Sequence, residues 1–240
     1  MTVRVAVWSG PRNISTALMR SWENRHDTVV VDEPLYASYL ARTGLDHPGR
    51  DEVLAAQPTD LAEAVATLRR PVAAEVHYAK HMSHHLLPGD DLGWTTGFRN
   101  VLLVREPREV VASYVRSRES CEPADIGLLQ QERLLEAWTS TGEAPPPVLD
   151  AADVLRDPEA HLRWLCDWLE IAFTDRMLHW PAGPRDSDGV WAPYWYDAVL
   201  ASTGFEHWRP REVHLSDHDA AVAEACRPAY ERLHGIRVQV

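Results

Sequence analysis

The apolar positions of the chain change period repeatedly, and the changes outline strands alternating with helices. Val3-Arg4-Val5-Ala6-Val7-Trp8 is a short alternating run, too short for a helix, and predicts a strand. Ser9-Gly10-Pro11-Arg12-Asn13 breaks the pattern with turn formers. Ile14, Ala17, Leu18, Ser21 and Trp22 then recur at helical spacing, with Asn13 as the expected N-cap and Ser15 and Thr16 in the first turn. Thr28 to Val31 predicts a second strand that runs into Asp32-Glu33-Pro34. Residues 41–59, polar and rich in Gly and Pro, predict a loop or mobile cap, and Leu61 to Leu68 a helix. Val72 to His77 predicts a third strand, and Tyr78 to Leu87 a helix ending before Pro88-Gly89.

Asn100 to Val104 is the most apolar strand, and Pro107 fits the first position of a helix with Val110, Val111, Tyr114 and Val115 inward. A fifth strand is expected at Val148-Leu149. A helix should start at Asp157-Pro158 with Leu162, Leu165, Cys166 and Leu169 inward, and a last one should run from Ser216 to His234, kinked at Pro228. Strands separated by helices imply an α/β fold: a mostly parallel central sheet, helices on both faces, and a single domain over residues 1–240. Residues 180–240 are expected to form a small helical annex. Its aromatics (Trp180, Trp191, Tyr194, Trp195, Tyr196, Phe205 and Trp208) either wall a ligand pocket or simply pack on the sheet. Ligands of such sheets bind beyond the C-terminal strand ends, where Arg12, Glu33, Lys80 and Arg105 should lie.

Composition narrows the partners. The 240 residues carry 24 Lys plus Arg against 36 Asp plus Glu, a formal charge of −12, which disfavours nucleic acid and anionic membranes as partners. Three widely spaced cysteines, Cys121, Cys166 and Cys226, suggest a reducing compartment without a disulfide frame. No apolar run approaches the roughly 18 residues that span a bilayer. The expectation is a cytoplasmic protein, a monomer or a homodimer.

Two stretches carry chemistry. Strand, tight loop and helix N-terminus gather unpaired amides and the positive end of the helix dipole on one point, the geometry of a P-loop-like phosphate site. Gly10, Pro11, Arg12, Asn13, Ile14, Ser15 and Thr16 form that loop, and Arg12 adds forked donors. Counted against G-x-x-x-x-G-K-[ST] from Gly10, however, Ser15, Thr16 and Ala17 stand where Gly, Lys and Ser or Thr belong. A metal-dependent kinase or ATPase is therefore disfavoured, and no metal is expected. In the second stretch Arg99, Arg105, Arg108, Arg116 and Arg118 face only Glu106, Glu109 and Glu119, a local positive patch in an acidic chain. Arg105 and Ser113 could clamp a phosphate monoester; the alternative is a helix surface laced with pairs such as Arg105 with Glu109.

Pro11-Arg12-Asn13-Ile14-Ser15-Thr16-Ala17-Leu18 resembles the 5′-phosphosulfate loop of the sulfotransferase family, P-[KR]-S-G-[ST]-T-x-L, with Ile14 in place of the loop Gly. Arg105 to Tyr114 resembles the family's 3′-phosphate segment, R-[DN]-P-R-[DE]-V-x-x-S-Y, with Glu106 for the usual Asp or Asn. Val148 to Phe173 is loosely similar to a third family segment, and the chain looks closest to a bacterial branch whose domain also occurs fused to aminotransferase-like proteins. The resemblance implies a single α/β domain binding 3′-phosphoadenosine 5′-phosphosulfate (PAPS) or its product, adenosine 3′,5′-bisphosphate (PAP). It implies sulfuryl transfer to a hydroxyl or amine of a small-molecule acceptor. Arg12 and the loop amides would then serve the leaving phosphate, Lys80 would add a cation, and Glu33 or His81 would be the base. Glu33 ranks first, because Lys80-His81 lacks the spacer of the family's K-x-H segment. His81, His84 and His85 would face one way on the expected helix, a pattern that also fits a metal, although solvated histidines are commoner. A nucleotide-dependent phosphotransferase or hydrolase, and a nucleotide-binding module without turnover, are the competing functions.

Overall fold

The computed structural model describes residues 2–240 except Ser117, Glu119, Thr141 and Glu143, so the Glu119 counted above lies outside the described residues. Five strands, β1 (Val3–Ser9), β2 (Thr28–Asp32), β3 (Val76–Met82), β4 (Arg99–Val104) and β5 (Val148–Asp150), form one sheet in the order β2-β3-β1-β4-β5. Every pairing is parallel, with Val7 opposite Lys80 on one side and Val101 on the other. The chain winds outward from β1 in both directions, which opens a crevice at the C-terminal ends of the central strands.

Helices cover both faces. One face carries α1 (Ser15–Glu23) and the later helix α8 (Pro158–Trp168). Between β2 and β3 lie α2 (Tyr36–Thr43), α3 (Arg50–Ala56) and α4 (Leu61–Leu68). After β4 come α5 (Pro107–Tyr114) and α6 (Leu128–Thr139), and α7 (Ala151–Arg156) follows β5 directly. Two short helices, α9 (Ala192–Trp195) and α10 (Asp197–Ala201), precede the long α11 (Asp217–Gly235). Alternation along β1 sends Val5 and Val7 into a core with Leu18, Trp22 and Leu165, and Ala6 and Trp8 into a second core with Leu102, Val111 and Leu134.

Two elements differ from the sequence expectation. The third strand begins at Val76, not Val72, and continues through Met82, where a helix was expected from Tyr78. All seven of its residues are buried, so the polar letters His77, Lys80 and His81 mark burial on both faces rather than a solvated helix. Within 41–59, Gly49 in a left-handed conformation starts α3, which tucks Val53 into a core with Tyr36 and Trp191. The last helix is packed into the sheet domain: Val222, Cys226, Ala229 and Leu233 complete the Trp8 core, and Pro228 sits inside the helix as expected.

Candidate functional site

The loop after β1 is fixed by close backbone approach. A Cβ on Gly10 would lie 2.0 Å from the Ile126 carbonyl oxygen, so only glycine lets the loop press against the start of α6. Arg12 takes a left-handed conformation (φ +52). That turn explains how Ile14 is tolerated where the resemblance puts a glycine. Ile14 has φ −89 and ψ 15, open to a β-branched residue, and packs half-buried against the Val5–Leu18 core. Asn13 is not the N-cap, a position that Ile14 holds. The Asn13 side chain instead accepts from its neighbour's N–H at 2.8 Å and donates to the Leu103 carbonyl at 3.1 Å, tying the loop to β4. No side chain caps α1, as is also true of α2, α3, α6, α9 and α10, whereas Asp60, Glu106, Asp150, Asp157 and Ser216 cap α4, α5, α7, α8 and α11. The first amides of α1 have no side-chain acceptor, and Ser15, Thr16 and Ala17 line the adjacent cleft.

The two arginine-bearing stretches meet. Arg12 Nε donates to Ser113 Oγ at 3.0 Å, and Arg105 Nη1 donates to the Arg12 carbonyl at 2.8 Å. Arg105 also pairs with Glu109 (Nη2–Oε2, 2.8 Å), so the helix-surface pair and the cleft position coexist. Burial, and then the charges of Arg116 and Arg105, hold the Arg12 guanidinium below its usual pKa. Like charges converging in this way favour an anion between them. Pro11, Arg12, Arg105, Ser113 and Arg116 line one cleft of about 600 Å³ that continues to Glu33 and Lys80.

At the ends of β2 and β3 lies a buried ion network. Lys80, 1% exposed, donates to Asp32 Oδ1 at 2.8 Å, Glu33 Oε1 at 2.6 Å and Tyr196 Oη at 2.6 Å. Those three bonds use all three ammonium N–H groups, so Lys80 has none free for a ligand, contrary to the expectation of an added cation. Tyr196 in turn donates to Asp32 Oδ2 at 2.7 Å and accepts from Trp191 Nε1 at 3.1 Å. Burial works against the Lys80 ammonium, but Asp32 and Glu33 outweigh it and its pKa stands well above the ordinary value. Glu33, 8% exposed, has its carboxyl pushed up, first by burial and against the pull of Lys80. It also adopts a left-handed backbone (φ +39), so two of the three described non-glycine residues with positive φ border the cleft.

His81 is elsewhere. Successive residues of a strand face opposite sides, so Lys80 and Met82 point to the cleft while His81 enters the Trp8 core. Its ring stacks on Trp8 at 4.1 Å, neither ring nitrogen has a partner among the described residues, and burial drives its pKa down to about 3. A ring sealed there does not line the cleft, whereas Glu33 does. His84 and His85 do line the cleft, from a 3-10 turn after β3 rather than from a helix. Tyr36 stacks on His85 at 4.8 Å and bonds His47 Nδ1 at 2.8 Å, making an aromatic end wall. Asp150, Asp153 and His234 come within 4.8 Å of one another, but none lines the cleft and Asp153 is ion-paired to Arg156 and Arg237.

Tyr196, Trp191 and Tyr36 are what sequence reading left unresolved. The Asp32-Glu33 doublet at a strand end and the aromatic crowding of residues 180–208 were the available signals. Nothing in the letters says that Tyr196 bonds the network while Trp180 packs edge-on against Phe205 at 5.1 Å.

Fold and cleft together define an α/β domain with two arginine segments meeting at one cleft beside the N-terminus of α1. Residues 3–235 match the family described as "Sulfotransferase domain", and the chain belongs to that family. It is 40% identical over 231 residues to Branched-chain-amino-acid aminotransferase-like protein 1 of Arabidopsis thaliana, covering 94% of this chain and 40% of that protein. To the same plant's Branched-chain-amino-acid aminotransferase-like protein 2 it is 36% identical over 234 residues, covering 95% of this chain and 41% of that one. The chain thus spans about two-fifths of the length of these relatives. Among solved structures, the sulfotransferase domain from the curacin biosynthetic pathway shares the fold, with a TM-score of 0.56 at 16% identity, covering 95% of this chain and 98% of that one. Among the described residues no helix is long and apolar enough to cross a membrane.

Proposed function

We propose that this domain binds PAPS in the cleft and transfers its sulfuryl group to a hydroxyl or amine of a small acceptor. The observation that carries this reading is the meeting of Arg12, Arg105 and Ser113 beside the uncapped N-terminus of α1. The residues fit the group: three convergent guanidinium charges and open amides ask for a polyanion, and about 600 Å³ accommodates a nucleotide. Arg105 and Ser113 would hold the 3′-phosphate, and Arg12 with the amides of residues 15–17 the 5′-phosphosulfate. Bound there, PAPS would supply the sulfuryl group and leave as PAP.

Each residue then has one task. Glu33 takes the acceptor's proton as the acceptor oxygen or nitrogen bonds to sulfur and the bond from sulfur to the phosphate oxygen breaks. Its raised pKa suits a base working near neutrality. Arg12 neutralises the charge that gathers on the leaving phosphate. Lys80, saturated by Asp32, Glu33 and Tyr196, aims the Glu33 carboxylate.

Isothermal titration with PAP, ATP and magnesium-ATP tests the donor half. Tight metal-free binding of PAP is expected, and preference for magnesium-ATP would instead favour a phosphotransferase or hydrolase. Arg105→Ala should weaken PAP more than tenfold, because it removes a charged, forked contact and the strut to the Arg12 carbonyl. Glu33→Gln should keep PAP affinity and cut conversion of labelled donor by at least a hundredfold, the order typical of a lost general base. A fully active Glu33→Gln enzyme would remove Glu33 from the mechanism.

A further inference from the structure

The cleft that holds Glu33 also holds a cation, Arg118, that the sulfuryl-transfer reading does not use. Arg118 lines the cleft together with Tyr36, His47 and His84, and its guanidinium lies 5.6 Å from the ring centroid of Trp195. Arg105 is tied by Glu109 and Arg12 by Ser113, whereas Arg118 is hydrogen-bonded to the Tyr114 phenol and has no carboxylate partner among the described residues. The histidines beside it bring no charge. Burial, with Arg118 adding repulsion, lowers His47 to about 4 and His84 to about 3, and His85 lies well below its usual range. Near neutrality they act as hydrogen-bonding rings, and the buried Nδ1 atoms of His84 and His85 have no partner among the described residues. Tyr36 feels both charges: beyond the effect of burial, Glu33 raises its pKa and Arg118 lowers it, and all three line the same cleft.

We propose that the acceptor is a hydroxy acid, its carboxylate paired with Arg118 and its hydroxyl presented to Glu33 across the Tyr36–His85 wall. This rests on the sulfuryl-transfer reading and narrows it. The forked guanidinium matches a carboxylate in two parallel hydrogen bonds, and the Trp195 ring packs near it. A protonated amine would meet Arg118, Arg116 and Arg12 as like charges, so the hydroxyl is preferred over the amine as the group sulfated.

The test uses the full chain saturated with PAP and titrated with hydroxy acids of graded length, aliphatic and aromatic, each beside its primary amide. The acids that bind should do so at least tenfold more tightly than their amides. Arg118→Gln should bring that ratio close to one, and Arg118→Lys should restore part of it. Taking the ratio within one variant cancels effects on folding and on the donor site. Amides that bind as well as acids, no acid binding at all, or a preference that survives Arg118→Gln would each overturn the proposal. Failure of the wild-type chain to bind PAP would defeat the donor reading instead, and the two failures are read in separate titrations.

Discussion

Lys80→Met should lower folding stability by about 3–5 kcal/mol, the cost of leaving buried charge without its partner. Two carboxylates, Asp32 and Glu33, converge on this one ammonium, and its side chain is 1% exposed. Methionine fills similar volume, so the loss comes from electrostatics rather than from a cavity. Glu33 can retreat by taking a proton, since its carboxyl is already pushed up, but Asp32 would keep only the Tyr196 hydroxyl and the Gly189 amide at 3.2 Å. For a chain of this length the drop corresponds to roughly 6–20 °C in melting temperature. The triple variant Lys80→Met, Asp32→Asn, Glu33→Gln should recover much of it by removing the orphaned charges. Calorimetry of both decides the matter: a single variant that melts within a degree of the wild type would show that the network does not carry the charge assigned to it.

The same network shows where sequence reading stops. The outer parts of the fold follow local rules that letters display. Leu61–Leu68 is a helix with the same bounds as its apolar period, and Pro107 opens α5 at its first position. The two arginine stretches are contiguous motifs and could be found for that reason. The central strand β3 defeats the method because it is buried on both faces: period 2 vanishes when each residue is inside, and Lys80 and His81 then look like a helix surface. Its frame decides the chemistry, since one step along the strand separates Lys80 in the cleft from His81 in the core. Tyr196 is a different case. It lies 116 residues from Lys80 in sequence, and only the packing of Trp191 and Tyr36 brings its hydroxyl to the ammonium. Ile14 shows a third limit. Whether a loop tolerates a β-branched residue depends on which residue takes the left-handed turn, and here it is Arg12.

His81 leads to the last expected result, loss of the fold in mild acid. In the unfolded chain a histidine titrates near 6.5. His81 and His84 titrate at about 3 in the folded chain and His85 well below its usual range, with burial as the first cause for each. Below pH 6.5 the unfolded state therefore binds protons that the folded state refuses. Each such group removes about 1.4 kcal/mol of stability per pH unit as pH falls toward its folded value. His81, fully buried and titrating at about 3, alone withdraws roughly 3 kcal/mol by pH 4.5, a large share of the stability of many domains, and His85 adds to the loss in the same direction. Glu33 works in the opposite sense: its raised pKa gives a stabilising contribution that is fully present below about pH 4.5 and is lost as pH rises through the higher folded value, so it grows as pH falls and blunts the loss. Stability measured by urea unfolding should thus fall steeply from pH 6.5 to pH 4.5. His81→Phe isolates one term. Phenylalanine can keep the stack on Trp8 and has no nitrogens to leave unpaired, so it should raise stability at every pH and flatten the slope by about one proton. An unchanged slope in His81→Phe would mean that this ring is hydrated or protonated in the folded chain, contrary to the sealed Trp8 core.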